Sequence, residues 1–347
     1  MEHLASGGPG LARARGAGDA PPPRDIGALV ATHPGARFLD MDTHTLALIL
    51  PQFEAATATT AGPATLLSER GGYAKPRMAG ERLASPPGRI ALRLVAGRGE
   101  HIAYTAADPG RREPAALHLF DRGGRLTHRT QIATPGDLLT LAALLAEVPT
   151  LAPSLPAPDV VAPAARPTPY LPAIRHARET WATAELVRHI DDLVLDGGQA
   201  RRTCLPHVGA AAARRVDPLV IGHLLREVAQ RRLPFRHVAV RAGCVQTREG
   251  ALDTLRPEGD LLLMRSGTAL MALDLGCIMD AWVTCLGPAG RRSRALELYA
   301  SDGTCAAAFL PPTQAPAAQT AWDRLLASLP AFSASSIRER DNLVLAE

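Results

Sequence analysis

The stretch Ala295-Leu-Glu-Leu-Tyr-Ala-Ser-Asp-Gly303 is written twice in this chain, the earlier copy reading Ala116-Leu-His-Leu-Phe-Asp-Arg-Gly-Gly124. Each copy alternates apolar and polar residues, ends in Tyr or Phe, and runs into a polar turn closed by glycine. A period of two is the pattern of a half-buried strand. A hairpin turn needs a residue that takes positive φ without strain, and glycine supplies it. Gly303 follows Gly124 by 179 residues in a chain of 347, so an internal duplication is expected.

That length is too great for one ordinary core and suits two domains. Apolar residues at 46% and charged residues at 21% are globular values. The net charge of +4 is mild, and Lys75 is the sole lysine. Only 4% of residues are aromatic and no basic run is interleaved with them, which argues against a nucleic-acid groove. Cys204, Cys244, Cys277, Cys285 and Cys305 are odd in number and form no C-x-x-C, so a disulfide framework is not expected. A reducing compartment follows, and with it a cytoplasmic location. No apolar run approaches the ~18 residues of a membrane span, and the N-terminus lacks the apolar core of a secretory signal.

The composition divides the chain into a tail (1–23), a first repeat (24–148), a Pro/Ala-rich linker (149–172), a second repeat (173–332) and a closing tail (333–347). In the first repeat, helices are expected at 25–30 and, uncapped, at 45–53. Strands follow at 90–96, 101–106, 115–120 and 126–132, then a helix to 148 with Asp137 as N-cap. In the second repeat, Trp181, Ala184, Val187, Ile190 and Val194 predict one helix over 180–195, stopped by Gly197-Gly198. Asp217-Pro218 opens another helix. Strands are expected at 237–245, 261–264, 269–275, 279–285, 295–299 and 304–310, and a helix at 322–329. The fold class is therefore α+β: two tandem repeats, each a large antiparallel β-sheet with flanking helices.

The sequence holds no H-E-x-x-H, no EF-hand, no phosphate loop outside the tail and no G-x-S-x-G. From composition and spacing alone its function is unspecified. Three stretches nevertheless resemble the cytoplasmic haemin-utilisation family of HemS, HmuS and ChuS. Arg241-Ala-Gly-Cys-Val-Gln246 is similar to that family's N-R-G-C-[IV]-Q. Ala281-Trp-Val-Thr284 followed by Ala295-Leu-Glu-Leu-Tyr299 is similar to its A-x-x-W-V and S-L-E-L-F, and residues 211–218 to the segment before its G-C-[IV]-Q strand.

The resemblance implies haem between the halves, with a His on one face and an Arg on the other. The family's W-x-x-x-x-x-V-H places its His at Arg188, and His189 comes one residue later. One step on a helix turns a side chain by about 100°. His189 is thus the implied iron ligand, displaced from the family position, and Arg188 an implied cofactor neighbour. The distal Arg of the family's D-L-R-I-F matches Arg93, although its Phe is Val95 here. The family's propionate-binding Lys falls at Leu286, and its late Gln, Tyr and Arg cluster falls on 308–313, interrupted by Pro311-Pro312. Arg291, Arg292 and Arg294 in the adjacent hairpin are substitutes. His101, His118 and Cys244 are further candidate ligands, each also readable as structural.

The implied function is receipt of imported haem for storage, delivery or degradation, with haem as ligand or substrate and an importer or downstream acceptor as partner. Ring opening by this chain stays open, and carriage is favoured because the proximal and propionate positions depart from the family. The alternative is a non-enzymatic scaffold that keeps the fold without haem. Neither nucleic acid nor membrane insertion is expected.

Overall fold

In the computed structural model, which describes residues 22–78, 88–95, 99–152, 171–183, 186–287 and 292–332, both turn glycines adopt the left-handed backbone, Gly124 at φ 71° and Gly303 at φ 84°. The tails 1–21 and 333–347 and most of the linker, 153–170, lie outside the described residues.

The first half contributes helices α1 (Ile26–Thr32), α2 (Thr43–Ile49) and α3 (Pro135–Glu147). Its strands are β1 (Arg37–Leu39), β2 (Ala56–Ala61), β3 (Thr65–Tyr73), β4 (Arg77–Met78), β5 (Arg89–Leu94), β6 (Gly99–Thr105), β7 (Ala115–Asp121), β8 (Leu126–Ile132) and β9 (Thr150–Leu151). The second half contributes α4 (Leu171–Thr183), α5 (Leu186–Asp196), α6 (Gln199–Cys204), α7 (Ile221–Gln230) and α8 (Pro316–Ser328). Its strands are β10 (Ala213–Val216), β11 (Phe235–Arg241), β12 (Cys244–Gly250), β13 (Thr254–Glu258), β14 (Leu261–Ser266), β15 (Ala269–Asp274), β16 (Ile278–Leu286), β17 (Ser293–Ala300) and β18 (Cys305–Leu310).

The pairings build two sheets. One runs β9-β1-β6-β7-β8-β2-β3-β15-β14-β13 and is antiparallel throughout. The other runs β10-β16-β17-β18-β11-β12-β5 in antiparallel order, with β4 parallel at its edge. A short parallel pairing of β3 with β5 links them. The fold is α+β with two tandem repeats, and the repeats exchange strands. First-half β5 lies in the second half's sheet, while second-half β13, β14 and β15 extend the first half's sheet. Both exchanges share one register: Cys244 faces Leu94 and Val245 faces Arg93, as Thr65 faces Leu273 and Leu66 faces Ala272. Adding 179 to the first-half member of each pair, and subtracting it from the other, turns one set into the other. The duplication is a pseudo-twofold in space.

Several sequence expectations change. The helix expected over 180–195 is helical at 180–183 (α4) and 186–195 (α5), with 184 and 185 outside the described residues. The single strand at 237–245 is a hairpin, because Gly243 at φ 80° makes the two-residue turn between β11 and β12. Helix α2 is capped after all: Asp42 accepts from the Thr45 backbone N–H at 2.7 Å. Thr134, not Asp137, is the N-cap of α3. Asp137 instead accepts from the backbone N–H groups of Glu54 and Ala55 at 2.8 and 3.1 Å, which ties α3 to the entrance of β2.

The opening stretch is buried on both faces rather than one. Leu296 and Leu298 enter a core with Phe235, Phe309 and Trp322. Ala295 and Tyr299 turn the other way into a second core beneath α4 and α5, with Trp181, Ile190, Leu193 and Val194. Glu297 lies between them in the alternation and is driven into the interior with them.

Candidate functional site

Glu297 is 0% exposed, and a buried carboxylate needs cations and donors around it. It finds four. Arg201 of α6 bonds it bidentately, Nε to Oε2 at 3.0 Å and Nη2 to Oε1 at 2.9 Å. The Thr284 hydroxyl donates to Oε1 and the Tyr299 hydroxyl to Oε2, each at 2.6 Å. Burial pushes the Glu297 carboxyl up, but the Arg201 charge and these donors outweigh it and hold it down at about 2.

Local backbone aims Arg201 at this carboxylate. Gly198, with φ 79°, starts α6, and a Cβ there would meet the Cys305 Cβ at 3.0 Å. Only glycine lets α6 begin against β18, next to the strand that carries Glu297. The Arg201 guanidinium also lies 3.9 Å from the Trp181 ring centroid, a cation–π contact from α4, and its Nη1 reaches Asp192 at 3.4 Å.

His189 completes the network. Ile190, Leu193 and Val194 bury one face of α5, and His189 sits beside them at 0% exposure. Its Nδ1 is 3.0 Å from Arg201 Nη2. Arginine only donates, so Nδ1 accepts and the ring proton sits on Nε2. That nitrogen has no hydrogen-bond partner and is 3.6 Å from Glu297 Oε1. Burial, then the Arg201 charge, pushes the imidazole down to about 3, so it is neutral.

Two residues along α5, Asp191 pairs with Arg93 of β5, whose side chain is fully buried. Arg93 of the first half is thus held against α5, through a residue two positions, or about 200° of helix turn, from His189. Arg188 is on the same helix, its side chain outside the described residues. The other candidates lie apart. Arg292 is exposed in the β16–β17 hairpin, and Arg291 is outside the described residues. The Arg294 backbone N–H is bound to Asp323. His101 is half-buried opposite Phe120. Cys244 is 0% exposed, its thiol pushed up to about 12 by burial, so it offers no thiolate. Leu286, at the expected lysine position, belongs to the apolar core under α4 and α5. No group of three or more metal-ligating side chains occurs among the described residues.

His118 is the repeat mate of Glu297, and it keeps the same partner: its Nε2 is 3.0 Å from the hydroxyl of Thr105, the mate of Thr284. Burial, then Arg129 and His33, hold this imidazole well below its ordinary range. Sequence reasoning missed Arg201, Glu297, Thr284 and Tyr299. The available signal was that Glu297 alternates with Ala295 and Tyr299, so neither face of its strand is polar.

An iron-bound His carries its proton on the non-ligating nitrogen and donates it to an acceptor. His189 has the reverse arrangement: a cation faces Nδ1 and the proton occupies Nε2. Both nearby guanidiniums are already neutralised, Arg93 by Asp191 and Arg201 by Glu297. As arranged here, these residues do not fit an iron-ligated haem at His189.

Residues 199–329 match the haemin-degrading HemS.ChuX domain family. The hemin transport protein HemS of Yersinia enterocolitica is 25% identical over 221 residues, spanning 62% of this chain and 62% of that protein. Among solved structures, the haem-degrading enzyme ChuS of Escherichia coli O157:H7 shares the fold with a TM-score of 0.69 at 20% identity, covering 87% of this chain and 88% of ChuS. Apo-PhuS, a haem-binding protein of Pseudomonas aeruginosa, matches with a TM-score of 0.69 at 20% identity, over 88% and 90% of the two chains. Residues 199–329 thus resemble a HemS-type domain, and the chain as a whole shares the fold of ChuS and PhuS. Among the described residues no helix is long and apolar enough to cross a membrane.

Proposed function

We propose that this HemS/ChuS-like chain handles haem in the cytoplasm, receiving imported haem for storage, delivery or degradation, with carriage favoured over catalysis. Its partners are then a haem importer and a downstream acceptor. The observation that supports this reading is that α5, which carries the buried His189, also holds the buried Arg93 of the first half through Asp191, at the seam between halves. Interfaces between structural units are where flat cofactors lodge. We assign Arg93, Arg188 and His189 as the haem-facing set.

Carriage is favoured because the described arrangement offers the iron no lone pair from His189. A carrier needs a surface and charge complementarity, whereas ring opening needs a defined axial ligand and an open distal position.

The same closed network favours a second reading, a scaffold that keeps the fold and binds no haem. A haemin titration of the purified chain separates the two. Saturable, one-site growth of a Soret band at micromolar haemin supports haem handling. A linear, unsaturable response leaves the scaffold.

A further inference from the structure

The face of the second sheet that looks onto the first half holds a buried polar group that the seam network does not use. His237 on β11 and Gln246 on β12 are 1% and 0% exposed. Neither nitrogen of His237 and neither amide atom of Gln246 has a hydrogen-bond partner. Register puts the two on one face: His237 lies opposite Arg248, and Ala239 opposite Gln246, while alternate residues of a strand share a side. Cys244, on that side of β12, packs into the first-half core. Arg248 reaches across to Glu69 of β3 through Nη1, which leaves Arg248 Nε and Glu69 Oε2 unpartnered too. His237 is thus the direct cross-strand neighbour of Arg248 and the diagonal neighbour of Gln246 on one face, with Glu69 joined to it through Arg248.

The repeat supplies an internal control. At the positions 179 residues earlier, the first half carries Ala58 and Leu67, both fully buried in apolar surroundings. The backbone therefore closes equally well over alanine and leucine, and the fold does not require His237 or Gln246. Left dry, a buried imidazole and a buried carboxamide forfeit their hydrogen bonds to water with no return. Native interiors satisfy such groups, with ordered water where no side chain reaches.

We infer that His237 and Gln246, flanked by the Arg248–Glu69 pair, form a buried binding site for small neutral hydrogen-bonding molecules, occupied by water in the folded protein. The chemistry sets the class of ligand. Gln246 offers two N–H donors and one carbonyl acceptor, and neutral His237 one of each, so the guest must both donate and accept. Its apolar neighbours favour a small guest: the Phe309 ring meets the His237 ring edge-on, with centroids 5.1 Å apart, and Ala239 and Leu92 flank Gln246. This inference is independent of the haem reading.

A crystal structure that resolves solvent, or water-selective NOEs to the Gln246 side-chain amide protons, tests it. Expected is ordered water within about 3.2 Å of a Gln246 amide atom and of a His237 nitrogen. Four dry atoms, or a direct His237–Gln246 hydrogen bond, would overturn it. The double variant His237→Ala, Gln246→Leu copies the first half and should lose the water signal while its Tm stays within a few degrees of the parent. A rise of about 10 °C or more would mean that the polar groups had been dry, and would also overturn it. Gln246→Leu alone serves if the double variant does not accumulate.

Discussion

Arg248 Nη1 donates to Glu69 Oε1 at 2.6 Å across a sequence separation of 179 residues. The two residues hold the same position in the two repeats, so one copy of a duplicated site binds the other. Equivalent positions meet in this way only at a pseudo-twofold axis. The axis therefore passes beside this pair, between the β3–β15 and β12–β5 exchanges.

Exchange of the pair should be tolerated, because the pseudo-twofold maps each backbone site onto the other. Glu69→Arg or Arg248→Glu alone places like charges against each other at an interface where Glu69 is 1% exposed, and each should cost about 3 kcal/mol or more. The double exchange should recover most of that loss in urea unfolding. Additive losses in the double variant would mean that the two environments are not equivalent.

The Arg201–Glu297 pair is a stricter case, since both side chains are at most 1% exposed. Glu297→Gln leaves the buried guanidinium only the partly exposed Asp192 carboxylate at 3.4 Å and should destabilise the protein by about 3 kcal/mol. Arg201→Met with Glu297→Leu removes both charges and should be the milder lesion. Urea midpoints of the two variants decide the order, and a harmless Glu297→Gln would contradict the burial described here.

Acid should unfold this protein early. Burial pushes His128, His189 and His237 down to about 3, from an ordinary 6.5. Below pH 6.5 the unfolded chain takes up protons that the folded chain refuses, so stability is full above 6.5 and falls as pH drops towards 3. Glu297, held at about 2 against an ordinary 4.5, adds a loss between those two values. Tm measured from pH 7 to pH 4 should fall steeply, and less steeply in His128→Leu. A flat Tm over that range would mean that the histidines are not buried neutral.

The duplication was legible because turn chemistry survives divergence: Gly124 and Gly303 are both held at positive φ, where other residues are strained. Strands β2 and β3 were missed. Ala56–Ala61 reads Ala-Thr-Ala-Thr-Thr-Ala, without a bulky apolar residue to mark its buried face, yet β2 pairs on both sides. The β11–β12 hairpin was read as one strand because a two-residue turn at 242–243 lies between two apolar runs. Arg93 and His189 were singled out through the resemblance. The network around them was not, because a lone Glu in an alternating strand reads as solvated until the other face proves to be covered. Strand exchange was illegible for a different reason. It is set by pairing between residues about 150–200 apart in sequence, such as Arg93 with Val245, and no local pattern records it.

The most direct test of haem binding at the seam is a Soret-monitored haemin titration of the parent chain beside Arg93→Met, with a matched thermal melt of each. Saturable binding that Arg93→Met weakens tenfold or more, in a variant that remains folded, is the predicted result. Binding unchanged by Arg93→Met would place haem elsewhere, and no saturable binding by the parent chain would contradict haem handling altogether.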